Sequence, residues 1–383
     1  MLIGIDGNEA NEVRADIGAP AGVNVYAFEL LRSIHKLQDE WKDKHSVVVY
    51  LRRKPSSLLP KETEYFKYKV LGGGGLWVMT RLTPHLCFTD KRPDVIFSPS
   101  HYAPFLAPMP KVVSIMDIGY LKNSGYLKKM DFWQLKYWTA ISVSASRKVL
   151  AISKSTKDDI VRHYPSSAGK VVVTPLAHDP AKFNSRTLVK EEKVLTRIKS
   201  KYSIGLSYVL YLGVLKPNKN VAGLISAWGR IVHEYPKITL VIAGKKGWGY
   251  GEIFSTVKAL RLTQKVVFTD YVPESDKPAL IAGAKLFVLP SFWEGFGLDV
   301  LNAMASGVPV AVSRAGSLPE VAGRAGTYFD PNNHADIARK ISRVLSLSKV
   351  DYNKIAKQSL EQAKKFSWDD TARLTLKTLE SIR

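Results

Sequence analysis

The stretch Ser291-Phe-Trp-Glu-Gly-Phe-Gly-Leu-Asp-Val-Leu-Asn-Ala-Met-Ala-Ser-Gly-Val-Pro-Val310 follows one apolar run, KLFVLP (285–290), and ends inside the next, VPVAVS (308–313). Strand, glycine-bracketed loop, apolar helix and strand again is the grammar of a parallel sheet covered on both faces. Gly295 and Gly297 allow the main chain to approach a ligand with no Cβ in the way. The N–H groups opening the helix, expected near Gly297 to Asp299, are unsatisfied donors aimed at an anion. Glu294 stands just outside, where a carboxylate accepts strong hydrogen bonds from hydroxyls. Taken alone, a G-x-G pair also reads as turn punctuation beside a solvated acid.

The same alternation extends outward in both directions. In the first half it gives LIGID (2–6), a helix near 22–37, SVVVYL (46–51), DVIFSP (94–99), KVVSIMD (111–117), a helix near 129–146, KVLAIS (148–153), a helix near 155–163 and KVVVTPL (170–176). After a charged stretch, KEEKVLTRIKSKY (190–202), it restarts with YVLYLG (208–213), a helix near 220–233, ITLVIAG (238–244), KVVFTDYV (265–272), KLFVLP, VPVAVS and GTYFD (326–330). The prediction is an α/β protein of two doubly wound, Rossmann-like domains, 1–185 and 186–368, with a helix at 369–383 completing the first.

Length and composition agree with that division. The 383 residues suit two domains rather than one core, and 45% hydrophobic with 23% charged residues is a globular balance. Asp6 and Glu9 interrupt the N-terminus before an apolar segment of signal-peptide length, and no apolar run reaches about 18 residues. These features, with a single cysteine, Cys87, predict a cytoplasmic protein without an internal disulfide. The net charge of +22 attracts polyphosphates, nucleic acid or an anionic membrane alike. No nucleic-acid recognition motif accompanies it, so no specific nucleic-acid partner is expected.

The segment at 291–310 resembles the signature of the retaining GT-B glycosyltransferases of family 4, including mannosyltransferase-like members. Glu294 to Leu298, Ala303 to Ala305, Gly307, Pro309 and Val310 match it. So do Leu212-Gly213 with Lys219-Asn220, Gly244 to Trp248, Leu318 to Val321 and Asp330-Pro331. The resemblance implies two domains facing across a cleft and transfer of a hexosyl group from a GDP- or UDP-linked sugar to a glycan or lipid-linked acceptor. It places the donor against Gly213, Asn218, Lys219, Gly244, Val272, Glu294, Gly295, Phe296, Gly297, Leu298 and Asn302. Glu294 would meet the sugar hydroxyls, Lys219 the leaving diphosphate and position 302 the ribose. Two of these positions depart from the pattern: Asn302 stands where the family has a second Glu, and Asn218 where it has an arginine, for which Lys216 can compensate. An amide still offers one acceptor and one donor to a diol, without a carboxylate's charge.

For the first domain the resemblance implies an acceptor site. Gly22 and Asn24, in Gly22-Val-Asn-Val-Tyr26, lie where the family often has Gly-Ile-Gly-Arg-Tyr. Asp117 fits the family's His-Asp, with Met116 replacing the histidine, and His101 is a further catalytic candidate, although a lone histidine more often serves structure. Catalysis is expected to rest on Glu294, Lys219, His101 and Asp117. The sequence has no Asp-x-Asp pair of the kind that holds a divalent ion on a diphosphate, so no metal or other cofactor is expected. The stretch 128–148 interleaves lysines with Phe132, Trp133, Tyr137 and Trp138. Its aromatics are expected to complete the domain core, with an anionic membrane surface as the alternative. The departures at Met116, Asn218 and Asn302 leave one rival function, a catalytically degenerate paralogue that binds nucleotide-sugar or glycan.

Overall fold

The computed structural model describes residues 1–14, 22–122, 129–185, 189 and 192–382, and divides them into two compact units. The first unit comprises Met1–Leu176 with Ser367–Arg383, and the second comprises Ala177–Phe366. The division falls at Leu176/Ala177, ahead of the 185/186 boundary read from the sequence, and the charged stretch belongs to the second unit on either division. Glu192–Lys201 is a helix of the second unit, burying Leu195 and Ile198, and its Arg197 pairs with buried Asp276 at 2.6 Å. Lys190 and Glu191, part of the same stretch, lie outside the described residues.

The first unit is a seven-stranded parallel sheet of β1 (Leu2–Asp6), β2 (Ser46–Leu51), β3 (Phe66–Val70), β4 (Val95–Ser98), β5 (Lys111–Ile115), β6 (Lys148–Ala151) and β7 (Val171–Val173). Its strand order is β3-β2-β1-β4-β5-β6-β7. The second is a six-stranded parallel sheet of β8 (Ser207–Leu212), β9 (Ile238–Ala243), β10 (Val266–Asp270), β11 (Leu286–Leu289), β12 (Val310–Ser313) and β13 (Gly326–Phe329), ordered β10-β9-β8-β11-β12-β13. Both sheets reverse direction between their first and fourth strands, β1/β4 and β8/β11. In an open α/β sheet such a reversal opens a crevice beyond the carboxyl ends of the strands. Central strands are buried along their length, β4, β5, β11 and β12 completely, as their unbroken β-branched runs require.

Strand β3 is absent from the sequence reading. FKYKV is an edge strand paired to β2 alone, with only Phe66 buried and its lysines in solvent, so it carries no continuous apolar run.

The helix Trp368–Glu380 closes the first unit. Trp368 packs its ring 6.3 Å from that of buried Tyr26, Lys36 meets Asp369 at 2.6 Å, Arg373 meets Glu40 at 2.8 Å and His45 meets Glu380 at 2.6 Å.

The helix Lys129–Ala145 corrects one expectation, because its aromatic residues divide between two faces. Phe132 and Leu135 pack on the core formed by Val113, Ile115 and Val149, and Trp138 lies edge-on to Tyr102 at 5.1 Å. Trp133 and Tyr137 instead stack on each other in solvent, 48% and 60% exposed, with rings 5.6 Å apart and the Lys136 ammonium 4.8 Å above the indole. Met130 and Ile141, one turn to either side, continue this outward apolar stripe. Lys128, the first residue of the motif, lies outside the described residues. Among the described residues no helix is long and apolar enough to cross a membrane.

Candidate sugar and phosphate site

The loops leaving β8 and β11 meet at the reversal point of the second sheet. Lys219 arrives on a 3-10 turn, Pro217–Lys219, and Glu294 on the loop after β11; the Lys219 ammonium donates to Glu294 Oε1 at 2.7 Å. Ser291 Oγ donates to the same oxygen at 2.6 Å. Both loops are held by main-chain contacts. The Phe292 N–H donates to the Asn218 carbonyl at 2.9 Å. Asn220, in the left-handed region at φ 53°, ties its amide to the carbonyls of Pro290 and Pro331 at 3.3 and 2.7 Å. From β12 comes a third clamp, Ser317, whose N–H and Oγ donate to the Glu294 carbonyl at 3.2 and 3.1 Å. A Cβ on Gly316, at φ +55°, would lie 2.4 Å from that carbonyl oxygen, so only glycine lets the clamp close.

Beyond Glu294, Gly295 and Phe296 are buried, Phe296 edge-on to Phe366 at 5.7 Å, and Gly297 takes φ 92° and ψ 51° to turn the chain into the helix Leu298–Ala305. That N-terminus carries no side-chain cap, which leaves it open to an external acceptor. The loops after β8 and β9 are zipped together: the Leu215 N–H donates to the Lys245 carbonyl and the Gly247 N–H to the Leu215 carbonyl, both at 3.0 Å. Lys216, Lys245 and Lys246 therefore share one rim. Gly244 serves this join, since a Cβ there would fall 2.0 Å from the Gly213 carbonyl oxygen. The side chain of Val272, after β10, is buried, which leaves only its main chain for a ligand.

Asn302 is 7% exposed, and its amide donates to Asp299 Oδ1, one turn earlier, at 3.3 Å. Asp299 is not among the candidates read from the sequence; an acid in a first helical turn also answers the helix dipole, so its position alone does not mark it. Burial raises the pKa of Asp299, while Lys277 opposes that shift. Lys277 itself, paired with Glu274, is held above its ordinary range because Asp299 and Glu274 outweigh the cost of its burial. A carboxyl side chain thus stands beside position 302, on the preceding turn rather than at the family's position.

In the first unit the candidates lie on three segments, the helix Gly22–Lys36 and the loops after β4 and β5. Gly22 opens the helix Gly22–Lys36, and a Cβ there would meet nothing within 4 Å, so packing does not demand glycine. Asn24 is buried and donates to Glu9 Oε2 at 2.8 Å and to the Glu9 carbonyl at 3.1 Å. Asp117 caps its own turn, accepting from the Gly119 N–H at 3.0 Å. His101 meets Thr139 Oγ1 at 3.1 Å, and burial lowers its pKa to about 4, which leaves a neutral imidazole at physiological pH. At the last residue of β1, burial raises buried Asp6 to about 7 with Glu9 adding to the shift, while Asn8 opposes it through its N–H and amide at 3.1 and 2.9 Å. Asp6 and Glu9 entered the sequence reading only as charges that interrupt a leader pattern. Among the described residues no three His, Cys, Asp or Glu side chains converge as a metal site.

Residues 196–365 match the family model described as glycosyl transferases group 1, and residues 20–182 match glycosyltransferase family 4. The chain is 34% identical over 241 residues to O-antigen chain mannosyltransferase B of Escherichia coli, spanning 61% of each protein. It is 32% identical over 279 residues to an uncharacterized glycosyltransferase of Methanocaldococcus jannaschii, covering 70% of this chain and 68% of the relative. A third relative, the serotype-specific mannosyltransferase WbdA of Escherichia coli, is 28% identical over 267 residues, which are 67% of this chain but 31% of WbdA. The chain thus spans less than two thirds of the two mannosyltransferases. Among solved structures, Anabaena HepE in complex with UDP and glucose superposes with a TM-score of 0.71 at 18% identity, covering 100% of this chain and 99% of HepE. A glycosyltransferase from Rickettsia africae gives 0.74 at 17% identity, covering 100% and 98%. With two Rossmann-like parallel sheets, the sequence matches in both halves and these relatives, the chain belongs to the family 4 glycosyltransferases of GT-B type.

Proposed function

We propose that this enzyme moves a hexosyl group of mannose or glucose type from a GDP- or UDP-linked sugar to a hydroxyl of a glycan or lipid-linked acceptor in polysaccharide biosynthesis, with retention and without a metal ion. The observation that carries the reading is the Lys219–Glu294 contact at 2.7 Å, which sets an ammonium for the diphosphate against a carboxylate for the sugar hydroxyls at the reversal point of one sheet. In the proposed reaction the bond between the anomeric carbon and the phosphate oxygen breaks with its electron pair on the diphosphate. The acceptor oxygen then bonds to the same face of that carbon and gives up its proton to the departing diphosphate oxygen. Lys219 and the N-terminus of Leu298–Ala305 stabilise the departing charge as preorganised donors. Asp299 and Asn302 share the ribose, one as acceptor and the other as donor and acceptor. Two named mannosyltransferase relatives and the UDP bound in HepE support the class of donor.

The exposed Trp133–Tyr137 pair beside Lys136, on a chain of net charge +22, supports peripheral docking on the anionic cytoplasmic face of a membrane. The rival, a binding paralogue, draws on Asn302 being engaged by Asp299. Incubation with GDP-mannose, UDP-glucose and related donors, in the presence and absence of EDTA, separates the readings. Transfer or slow donor hydrolysis that survives chelation supports the proposal. Nucleotide-sugar binding without turnover supports the paralogue, and turnover lost to EDTA and restored by Mg²⁺ removes the metal-free step.

A further inference from the structure

The carboxyl ends of β1 and β2 open into a concavity of about 450 Å³ within the first unit, bordered by Arg14, Arg52, Arg53 and Lys54. Its walls are fixed by two asparagines on the short helix after β1. Asn8 Oδ1 accepts from the Arg52 N–H at 2.7 Å. Asn11 donates to the Lys54 carbonyl at 3.1 Å and accepts from the Ser56 N–H at 2.7 Å. Ser56 Oγ closes the rim by donating to the Val13 carbonyl at 3.2 Å. These contacts hold the main chain of 52–56 while leaving the four cationic side chains to the concavity. Among the described residues Glu12 is the one acid of the lining, 3.7 Å from Arg53, and Arg14, Arg52 and Lys54 have no ion-pair partner. Four cations facing one carboxylate on a fixed frame form a site for a multiply charged anion. Guanidinium forks match phosphate geometry, and the volume lies in the range of small-molecule sites. The same short helix carries Glu9, the partner of Asn24, on the acceptor side of the unit.

We propose that this concavity binds the phosphate or diphosphate of a phosphorylated acceptor, separately from the donor diphosphate site of the second unit. The proposal rests on the reading of the chain as a glycosyltransferase whose acceptor is held by the first unit. Its ligand chemistry, a phosphate ester or diphosphate, arises from a soluble sugar phosphate or from a lipid carrier.

Calorimetry of inorganic pyrophosphate with the full chain tests the site without requiring turnover. Arg52→Ala combined with Lys54→Ala should weaken one class of pyrophosphate site at least ~10-fold, since hydrogen bonds to charged groups are the strong ones. Lys219→Ala should leave that class intact, and Glu12→Gln should tighten it about 2–5-fold by removing the competing carboxylate. A parallel arm measures association with phosphatidylcholine vesicles carrying farnesyl diphosphate. Loss in both arms, or in one, supports the site and identifies its source as soluble, lipid-borne or both. Pyrophosphate isotherms and vesicle association that Arg52→Ala/Lys54→Ala and Glu12→Gln leave unchanged, in folded protein, overturn it. Because binding is read directly, absent transfer with intact pyrophosphate binding overturns the proposed reaction instead.

Discussion

Lys219 and Glu294 face each other at 2.7 Å, with side chains only 22% and 12% exposed, although they lie 75 residues apart. The main chain of Glu294 is fixed independently by Ser317 and Gly316, so its carboxylate can be altered without dismantling the loop. Glu294→Gln is expected to lower transfer at least ~10-fold with an unchanged unfolding midpoint. Lys219→Ala is expected to lower kcat ~100-fold or more if it stabilises the departing diphosphate. Wild-type rates for Glu294→Gln in a verified transfer assay would remove Glu294 from the sugar site.

Asn302→Glu would restore the residue found in the family, yet the structure predicts no benefit. The new carboxylate would replace an amide donor 3.3 Å from Asp299 Oδ1, in a position only 7% exposed. Like charges at that distance should cost about 1–3 kcal/mol of stability and should not tighten nucleotide binding. Asp299→Asn is expected to weaken nucleotide affinity about 10-fold. Calorimetry that finds Asn302→Glu tighter than wild type would show that Asp299 does not serve the ribose.

The Asp6 carboxyl, raised from 3.8 to about 7 chiefly by burial, couples stability to pH. Its contribution is fully present below the ordinary carboxylate pKa and is lost as pH rises through about 7, because the unfolded chain ionises first. The loss amounts to as much as about 4 kcal/mol. Asp6→Asn should remove this slope. Urea unfolding between pH 4 and 8 should show the wild type losing stability relative to the variant as pH rises, and parallel curves would contradict the assignment.

Membrane docking rests on the outward stripe of Lys129–Ala145. Trp133→Ala with Tyr137→Ala is expected to reduce partition onto phosphatidylglycerol-containing vesicles about 10-fold, leaving turnover on a water-soluble acceptor unchanged. Equal partition of variant and wild type would dismiss that surface.

The strands were legible because buried parallel strands are written as unbroken apolar runs, and the glycine-bracketed loop pointed to Glu294, whereas Lys219 was named only through the family resemblance. The remaining features depend on contacts between distant segments. Nothing near Glu294 announces that Gly316 and Ser317 hold its carbonyl, since that contact forms only when β11 and β12 lie side by side. Arg14 and Arg52 are scattered surface charges in the sequence and share a concavity only through the β1–β2 pairing. The stretch 128–148 misled for another reason. Aromatic content is visible in a sequence, but which helical face receives each ring depends on where the helix rests.

The helix Trp368–Glu380 has a consequence for synthesis. It seals the first unit against Tyr26, Lys36, Glu40 and His45, yet the ribosome makes it only after all of Ala177–Phe366. At ~5–20 residues per second, the nascent first unit waits on the order of tens of seconds without the element that covers Tyr26. The earlier unit in the message is therefore the later one to be completed, and during that interval its uncovered apolar face is a natural client for chaperones.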